Sequence, residues 1–300
     1  MLLSARFTSA LILSIKILYN PYLIDAFGSL KCPDDFIDFL ADCGFKYWQV
    51  LPFCLPDEYN SPYKSYSAFS INPFFIDIEK LYDKELITRQ ELKNAMQKGP
   101  NACEFNRLAY ERLPLLKKAS TRFLETKKLD DFYAKHPQTA KFCEFMSLRY
   151  ANGDKPLYEG TELKPNKDEL HAWRVIEYLA ITEWLDIKEY ANKKGIKIIG
   201  DVPIYCSMDS VDMYASSRCF QLDQNKRPLF VAGVPGDYFN PEGQIWGNPL
   251  YDFNYMKKTK YHWWVQRLKH LTKLYDLIRI DHFRAFDAYY AIPYGDATAK

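Results

Sequence analysis

Two acids stand at or near the ends of apolar runs in this chain, Asp201 in IKIIGDVPIY and Asp281 in YDLIRIDHFRAFDAYY. Asp281 has Arg279, His282 and Arg284 close in sequence. Neighbouring positive charge favours a carboxylate over the acid form. An ionised carboxylate is what a glycosidic nucleophile must be, attacking an anomeric carbon through an oxocarbenium-like transition state. The same residues also read as a structural ion pair of Asp281 with Arg279 and Arg284. A metal site is a third reading, although it lacks a second His or acid at obvious ligand spacing. Asp201 reads either as a turn residue or as a binding group aimed by the constrained backbone of Gly200 and Pro203.

Two further stretches are polar, aromatic and rich in turn residues. VAGVPGDYFNPEGQIWGNPLYDF, residues 231–253, carries Tyr238, Phe239 and Trp246 on what its Gly and Pro content marks as mostly loop. Its apolar residues argue against disorder, and long ordered loops are usually functional. Trp246 then reads as core filling or as a platform for stacking a sugar face. SPYKSYSAFSINP, residues 61–73, has the same style and follows a predicted strand.

The elements that must position these groups alternate helix with strand. FIDFLADCGFKYWQVLPF predicts a helix with Phe36, Phe39 and Leu40 on one face, a stop at Gly44, and a strand over 47–51. Trp173, Ile176, Leu179, Ala180, Trp184, Ile187 and Ala191 recur at helical spacing, with Lys193, Lys194 and Gly195 suited to the C-terminal end. IKIIGDVPIY follows as a strand covered on both faces. The unit recurs, with Trp264, Val265, Leu268, Leu271 and Tyr275 before LIRI. An acid at or just inside the carboxyl end of each strand is the pattern of a β/α barrel. An open doubly wound sheet fits the same periodicity. The predicted organisation is a barrel start over residues 1–82, a helical insertion over 83–170 in which Pro114 breaks or starts a helix, and the barrel resumed over 171–300.

The bulk numbers narrow the function. Apolar residues make up 48% and charged residues 26% of the 300, a globular composition. A net charge of +2 gives no field for nucleic acid. No run of 18 apolar residues is present, so no membrane span is expected. The seven cysteines are scattered without a CxxC pair, which points to a reducing, cytoplasmic setting rather than a disulfide framework or structural zinc. MLLSARFTSALILSIKIL resembles a weak signal peptide, but Lys16 interrupts it, and a first barrel strand is the better reading.

IIGDVPIYCSMDSVDMYA, VAGVPGDYFNPEGQIWGNPLYDF and LIRIDHFRAFDAYY resemble the 4-alpha-glucanotransferases of the amylomaltase (disproportionating enzyme) type, as do YWQVLPF and SPYKSYSAFSINPFFID. The resemblance runs in order from Tyr47 to the last residue. It implies a (β/α)8 TIM barrel with a helical insertion, of which this chain holds about the first four strands. It also implies transfer of α-1,4-glucan segments between maltodextrins with retention, using no cofactor and no metal. By resemblance Asp281 is the nucleophile, Arg279 and His282 hold it and contact the donor sugar, and Asp201 binds glucose hydroxyls. Ser61, Tyr63, Asp237, Gln244 and Trp246 would line donor and acceptor subsites.

Some positions depart from the family pattern. Ser14 stands where a His is usual, Asp25-Ala26 where Gly-Asp is usual, and Lys64 where a Gln commonly follows SPY. The family's general acid, a Glu, and a later Asp are expected beyond Lys300. Two alternatives stay open: a maltodextrin-binding protein without catalysis, and a hydrolytic α-glucan enzyme.

Overall fold

The computed structural model describes residues 10–12, 33–57, 60–95, 107–157 and 164–299. The readings of Ser14 and of Asp25-Ala26 lie outside the described residues, and of the stretch 1–18 only Ala10–Ile12 is described, as a strand.

Four parallel strands form one sheet in the order β1-β2-β3-β6: β1 (Ala10–Ile12), β2 (Tyr47–Val50), β3 (Lys197–Val202) and β6 (Leu277–Ile280). Helices return the chain between them, as parallel pairing demands. Helix α1 (Pro33–Asp42) precedes β2. Its buried face is Pro33, Ile37 and Leu40, whereas Phe39 is 56% exposed. The expected face was therefore turned too far: Phe39 lies at the helix edge, stacked on Phe36, and Phe36 meets Trp48 edge-on at 5.5 Å. Gly44 takes φ +79° just past the helix, a conformation that costs glycine nothing and leads straight into β2.

The segment between β2 and β3 is helical, as its spacing predicts. After α2 (Ile78–Asp83) and α3 (Arg89–Asn94) come α4 (Leu113–Ser120), α5 (Thr126–Lys135) and α6 (Pro137–Ala151). Pro114 is the second residue of α4, directly after a π-helical turn, Leu108–Arg112, so it marks a change of helix geometry within a continuous helical run. The 27-residue α7 (Lys167–Lys193) then packs against α4, α6 and β3. All seven of its predicted inward residues, from Trp173 to Ala191, are buried. Large aliphatic side chains contribute roughly 1.5–3 kcal/mol each when fully buried. These residues belong to one continuous core with Trp48, Val50 and Ile198 of the sheet, so the helical segment has no separate core from the strands.

The segment read as mostly loop contains strand. β4 (Phe230–Val234) and β5 (Gln244–Pro249) pair antiparallel, and β4 also pairs with β7 (Tyr290–Pro293). Glycines at 233 and 247 and a bulge between Val231 and Gly233 mask the alternation that marks strands. The partner β7 is distant in sequence, which hides the pairing further.

Helices α8 (Val211–Ala215) and α9 (Phe253–Lys258) are short, and α10 (His262–Leu274) leads into β6. The inward face of α10 is Trp263, Trp264, Arg267, His270, Leu271 and Leu274, while Val265 is exposed. Of the predicted face, Trp264, Leu271 and Tyr275 are buried, but apolar spacing does not register the two inward polar residues, Arg267 and His270. His270 and His136, which joins α5 to α6, face each other edge-on at 6.2 Å. Burial, then the charges of Lys273 and Lys135, pushes His136 down to about 4, and burial, then the charges of His136 and Lys273, pushes His270 to about 3. A His whose folded pKa is depressed gives stability that is complete above its unfolded pKa and lost as pH falls below it. Stability should therefore drop by about 2 kcal/mol for each His, about 4 kcal/mol for the pair, between pH 7 and pH 5. Urea midpoints at the two pH values check this, and a flat profile would exclude the pair as the acid-labile element.

Candidate active site

The site is assembled where β3 and β6 end. Residues two apart on a strand point to the same side, so Arg279 and Asp281 share a face. The parallel register sets Asp201 directly beside Arg279. The opposite face of β6 presents Ile278 and Ile280 to the main core. The backbone N–H of Asp281 donates to the Val202 carbonyl at 2.9 Å, carrying the ladder one residue past β6. His282 then takes a left-handed conformation (φ +52°) and turns the chain into the short helical turn Phe283–Phe286. A strand that stops so abruptly leaves the Asp281 side chain at the sheet's carboxyl end.

Arg279 bridges both acids. Its Nη1 donates to Asp201 Oδ1 at 2.6 Å and its Nη2 to Asp281 Oδ1 at 2.7 Å. Tyr63 donates its hydroxyl to the other Asp201 oxygen, Oδ2, at 2.9 Å. Asp201 is 3% exposed, and burial raises its pKa against the opposing pull of the Tyr63 and Arg279 bonds. Burial, then the neighbouring Asp201 charge, pushes Tyr63 up to about 12, so it serves as a neutral donor. Burial alone would lower Arg279, but the bonds to Asp201 and the charge of Asp281 outweigh it and hold it above its usual range.

The sequence reading placed Arg284 and His282 on Asp281 as well. Among the described residues neither forms an ion pair with it. Arg284 is exposed, and the His282 ring instead meets Trp246 edge-on at 5.2 Å.

A cavity of about 360 Å³ opens over this cluster, lined by Ser61, Tyr63, Lys64, Tyr205, Trp246, Asn248, Asp281 and His282 among others. Of the sequence-predicted residues, Ser61, Tyr63, Trp246, Asp281 and His282 line it. Asp201 and Arg279 are tied to lining residues by the bonds above. Gln244 is exposed and accepts from Trp246 Nε1 at 3.1 Å, which fixes the indole. Asp237 is on the β4–β5 hairpin, where its carboxylate accepts from the backbone N–H groups of Phe239 and Asn240, outside the cavity lining. Tyr205 and Asn248 were missed by sequence reasoning. Tyr205 lies in the same GDVPIY run as Asp201, which was the available signal. Asn248 lies two residues past Trp246 in the stretch 231–253, which was its signal. Among the described residues no group of three or more His, Cys, Asp or Glu is arranged to hold a metal.

Gly200 is required by close approach. A Cβ there would lie 2.2 Å from the ring of Tyr275, a buried residue. Gly200→Ala is expected to cost about 1–3 kcal/mol by overpacking and to shift the adjoining Asp201. A denaturation midpoint equal to that of the parent would show that Tyr275 yields freely.

Comparison with known proteins gives a consistent result. A family model described as 4-alpha-glucanotransferase matches residues 25–300. The 4-alpha-glucanotransferase of Clostridium butyricum is 38% identical over 95% of this chain and 62% of its own length. That of Aquifex aeolicus is 35% identical over 97% of this chain and 62% of its own. The amylomaltase from Streptococcus agalactiae, solved in complex with acarbose, superposes with a TM-score of 0.90 at 33% identity, covering 97% of this chain and 62% of that one. The chain thus spans about three-fifths of the length of the relatives it matches.

Proposed function

Since the chain belongs to the 4-alpha-glucanotransferase family, we propose that the whole protein transfers α-1,4-glucan segments between maltodextrins by a retaining double displacement with Asp281 as nucleophile. The four parallel strands are then the opening part of a (β/α)8 barrel. The observation that carries the reading is the Arg279 bridge, with one Asp281 oxygen held and a cavity above it. The acarbose held by the Streptococcus relative supports a sugar ligand for such a cavity. The free cysteines at 43, 54, 143, 206 and 219 support a reducing setting, and we place the protein in the cytoplasm. No helix among the described residues is long and apolar enough to cross a membrane.

In the first step Asp281 Oδ2, which Arg279 does not engage, forms the bond to the anomeric carbon as the glycosidic C–O bond breaks. The leaving oxygen takes a proton from a general acid, which in a retaining enzyme sits about 5 Å from the nucleophile. Asp201 is a poor donor for that step, because both of its oxygens accept hydrogen bonds, from Arg279 and from Tyr63. The acid is then a Glu elsewhere in the whole protein. In the second step a sugar hydroxyl loses its proton to that same residue and attacks the anomeric carbon, releasing Asp281. Trp246 stacks the acceptor, and limiting water lets transfer compete with hydrolysis.

Incubating the whole protein with maltotriose should give glucose together with longer maltodextrins. Glucose and maltose alone would make it a hydrolytic α-glucan enzyme, and binding without turnover would make it a maltodextrin-binding protein.

A further inference from the structure

We infer that the hydroxyl of Tyr205 is a further hydrogen-bonding contact for a sugar ring in the cavity, an inference that rests on the α-glucan reading above. The backbone on both sides of Tyr205 is held by side chains from other elements. Arg267 of α10 donates from Nη2 to the Pro203 carbonyl at 2.7 Å and from Nη1 to the Ile204 carbonyl at 3.3 Å. Tyr251 donates its hydroxyl to the same Ile204 carbonyl at 2.6 Å. Asn248 Nδ2 donates to the Cys206 carbonyl at 2.9 Å. Arg267 is itself buried, with its guanidinium 5.4 and 5.0 Å from the ring centroids of Trp263 and Trp264.

The Tyr205 ring is fixed as well. It stacks on Tyr251 at 6.3 Å and contacts Trp246 and His282 at 6.4 and 6.1 Å. The neighbouring tyrosines spend their hydroxyls on protein partners: Tyr63 on Asp201, Tyr251 on Ile204, and Tyr289 as acceptor from Gln221. Tyr205 is 8% exposed and lines the cavity, yet among the described residues its hydroxyl has no hydrogen-bond partner. Its oxygen is not among the fully enclosed unpartnered atoms, so it is open to the cavity and free to bond a group there. A polyol seated in the cavity supplies it. Burial, then the charge of Tyr289, pushes Tyr205 up to about 12, so the hydroxyl is a neutral donor throughout the assay range.

The hydroxyl is positioned before ligand arrives and its bond to the sugar persists through the reaction, so its loss falls on ground-state and transition-state binding alike. Tyr205→Phe keeps the ring and removes the hydroxyl. In the whole protein it should raise KM for maltotriose about three- to tenfold, with kcat within about twofold of the parent. Among maltotriose analogues each lacking one hydroxyl, one should show the same KM with parent and variant. Tyr289→Phe, whose hydroxyl already serves Gln221, should leave both constants unchanged. A parent protein that neither binds nor transfers maltodextrins removes the functional reading and this inference together. A parent that transfers, with an unchanged KM in Tyr205→Phe, overturns the inference alone. A joint fall of kcat and Tm would also overturn it, by marking the hydroxyl as structural.

Discussion

Replacing Asp281 with Asn in the whole protein is expected to lower the transfer rate by about 10⁴-fold or more, the scale seen when a covalent nucleophile is removed, while maltodextrin binding changes little. Asn keeps the size of Asp and an oxygen that accepts from Arg279 Nη2, so the bridge to Asp201 has reason to persist. What is lost is the anionic oxygen that would form the glycosyl bond. Initial rates on maltotriose, alongside calorimetric titration with a non-cleaved ligand, separate the two effects. A variant that kept more than about 1% of the parental rate would place the nucleophile elsewhere and return Asp281 to a structural ion-pair role.

The largest effect on stability is expected at Trp184. It is 2% exposed and lies 4.4 Å from Phe53, 6.0 Å from Tyr275 and 6.3 Å from Trp48, ring centroid to ring centroid. Its Nε1 also donates to the Leu274 carbonyl at 2.9 Å, at the end of the helix that feeds β6. Trp184→Ala removes one of the two largest side chains of this cluster and strands a buried carbonyl, and should cost about 3–5 kcal/mol. Domains of ordinary stability have about 5–15 kcal/mol in total, so the variant would unfold at low denaturant. Tyr275, which underlies Gly200, loses a neighbour in the same change, so activity should fall before global unfolding. A loss below about 1 kcal/mol in urea titration, where most surface substitutions fall, would mean that Trp184 is not part of the core.

Much of this was legible from local pattern. IIGD and LIRID read as strands ending near acids because parallel strands covered on both faces are nearly continuous apolar runs. The inward residues of α7 were legible because no polar residue interrupts their stripe except Glu177 and Glu183, which spend their carboxylates on backbone N–H groups. The face of α10 was misjudged since Arg267 and His270 point inward, and hydrophobic spacing cannot register a buried polar group. Within the site, the pairing of Arg279 with Asp281 follows from their spacing. The pairing of Arg279 with Asp201 does not, because it depends on a register between strands about 78 residues apart. The pairing of β4 with β7 and the bond of Asn248 to the Cys206 carbonyl were hidden for the same reason, since each joins residues far apart in the chain.

The line of hydrogen bonds from Tyr63 through Asp201 and Arg279 to Asp281 joins a loop and two strands. Each member's position is set in part by its bond to the next one along. Substitutions at these four positions should therefore not add: the penalty for losing Asp201 depends on whether Arg279 is still there to be left unpaired. Drift at one site then changes which replacements the other three tolerate, so the four are expected to evolve as one linked unit.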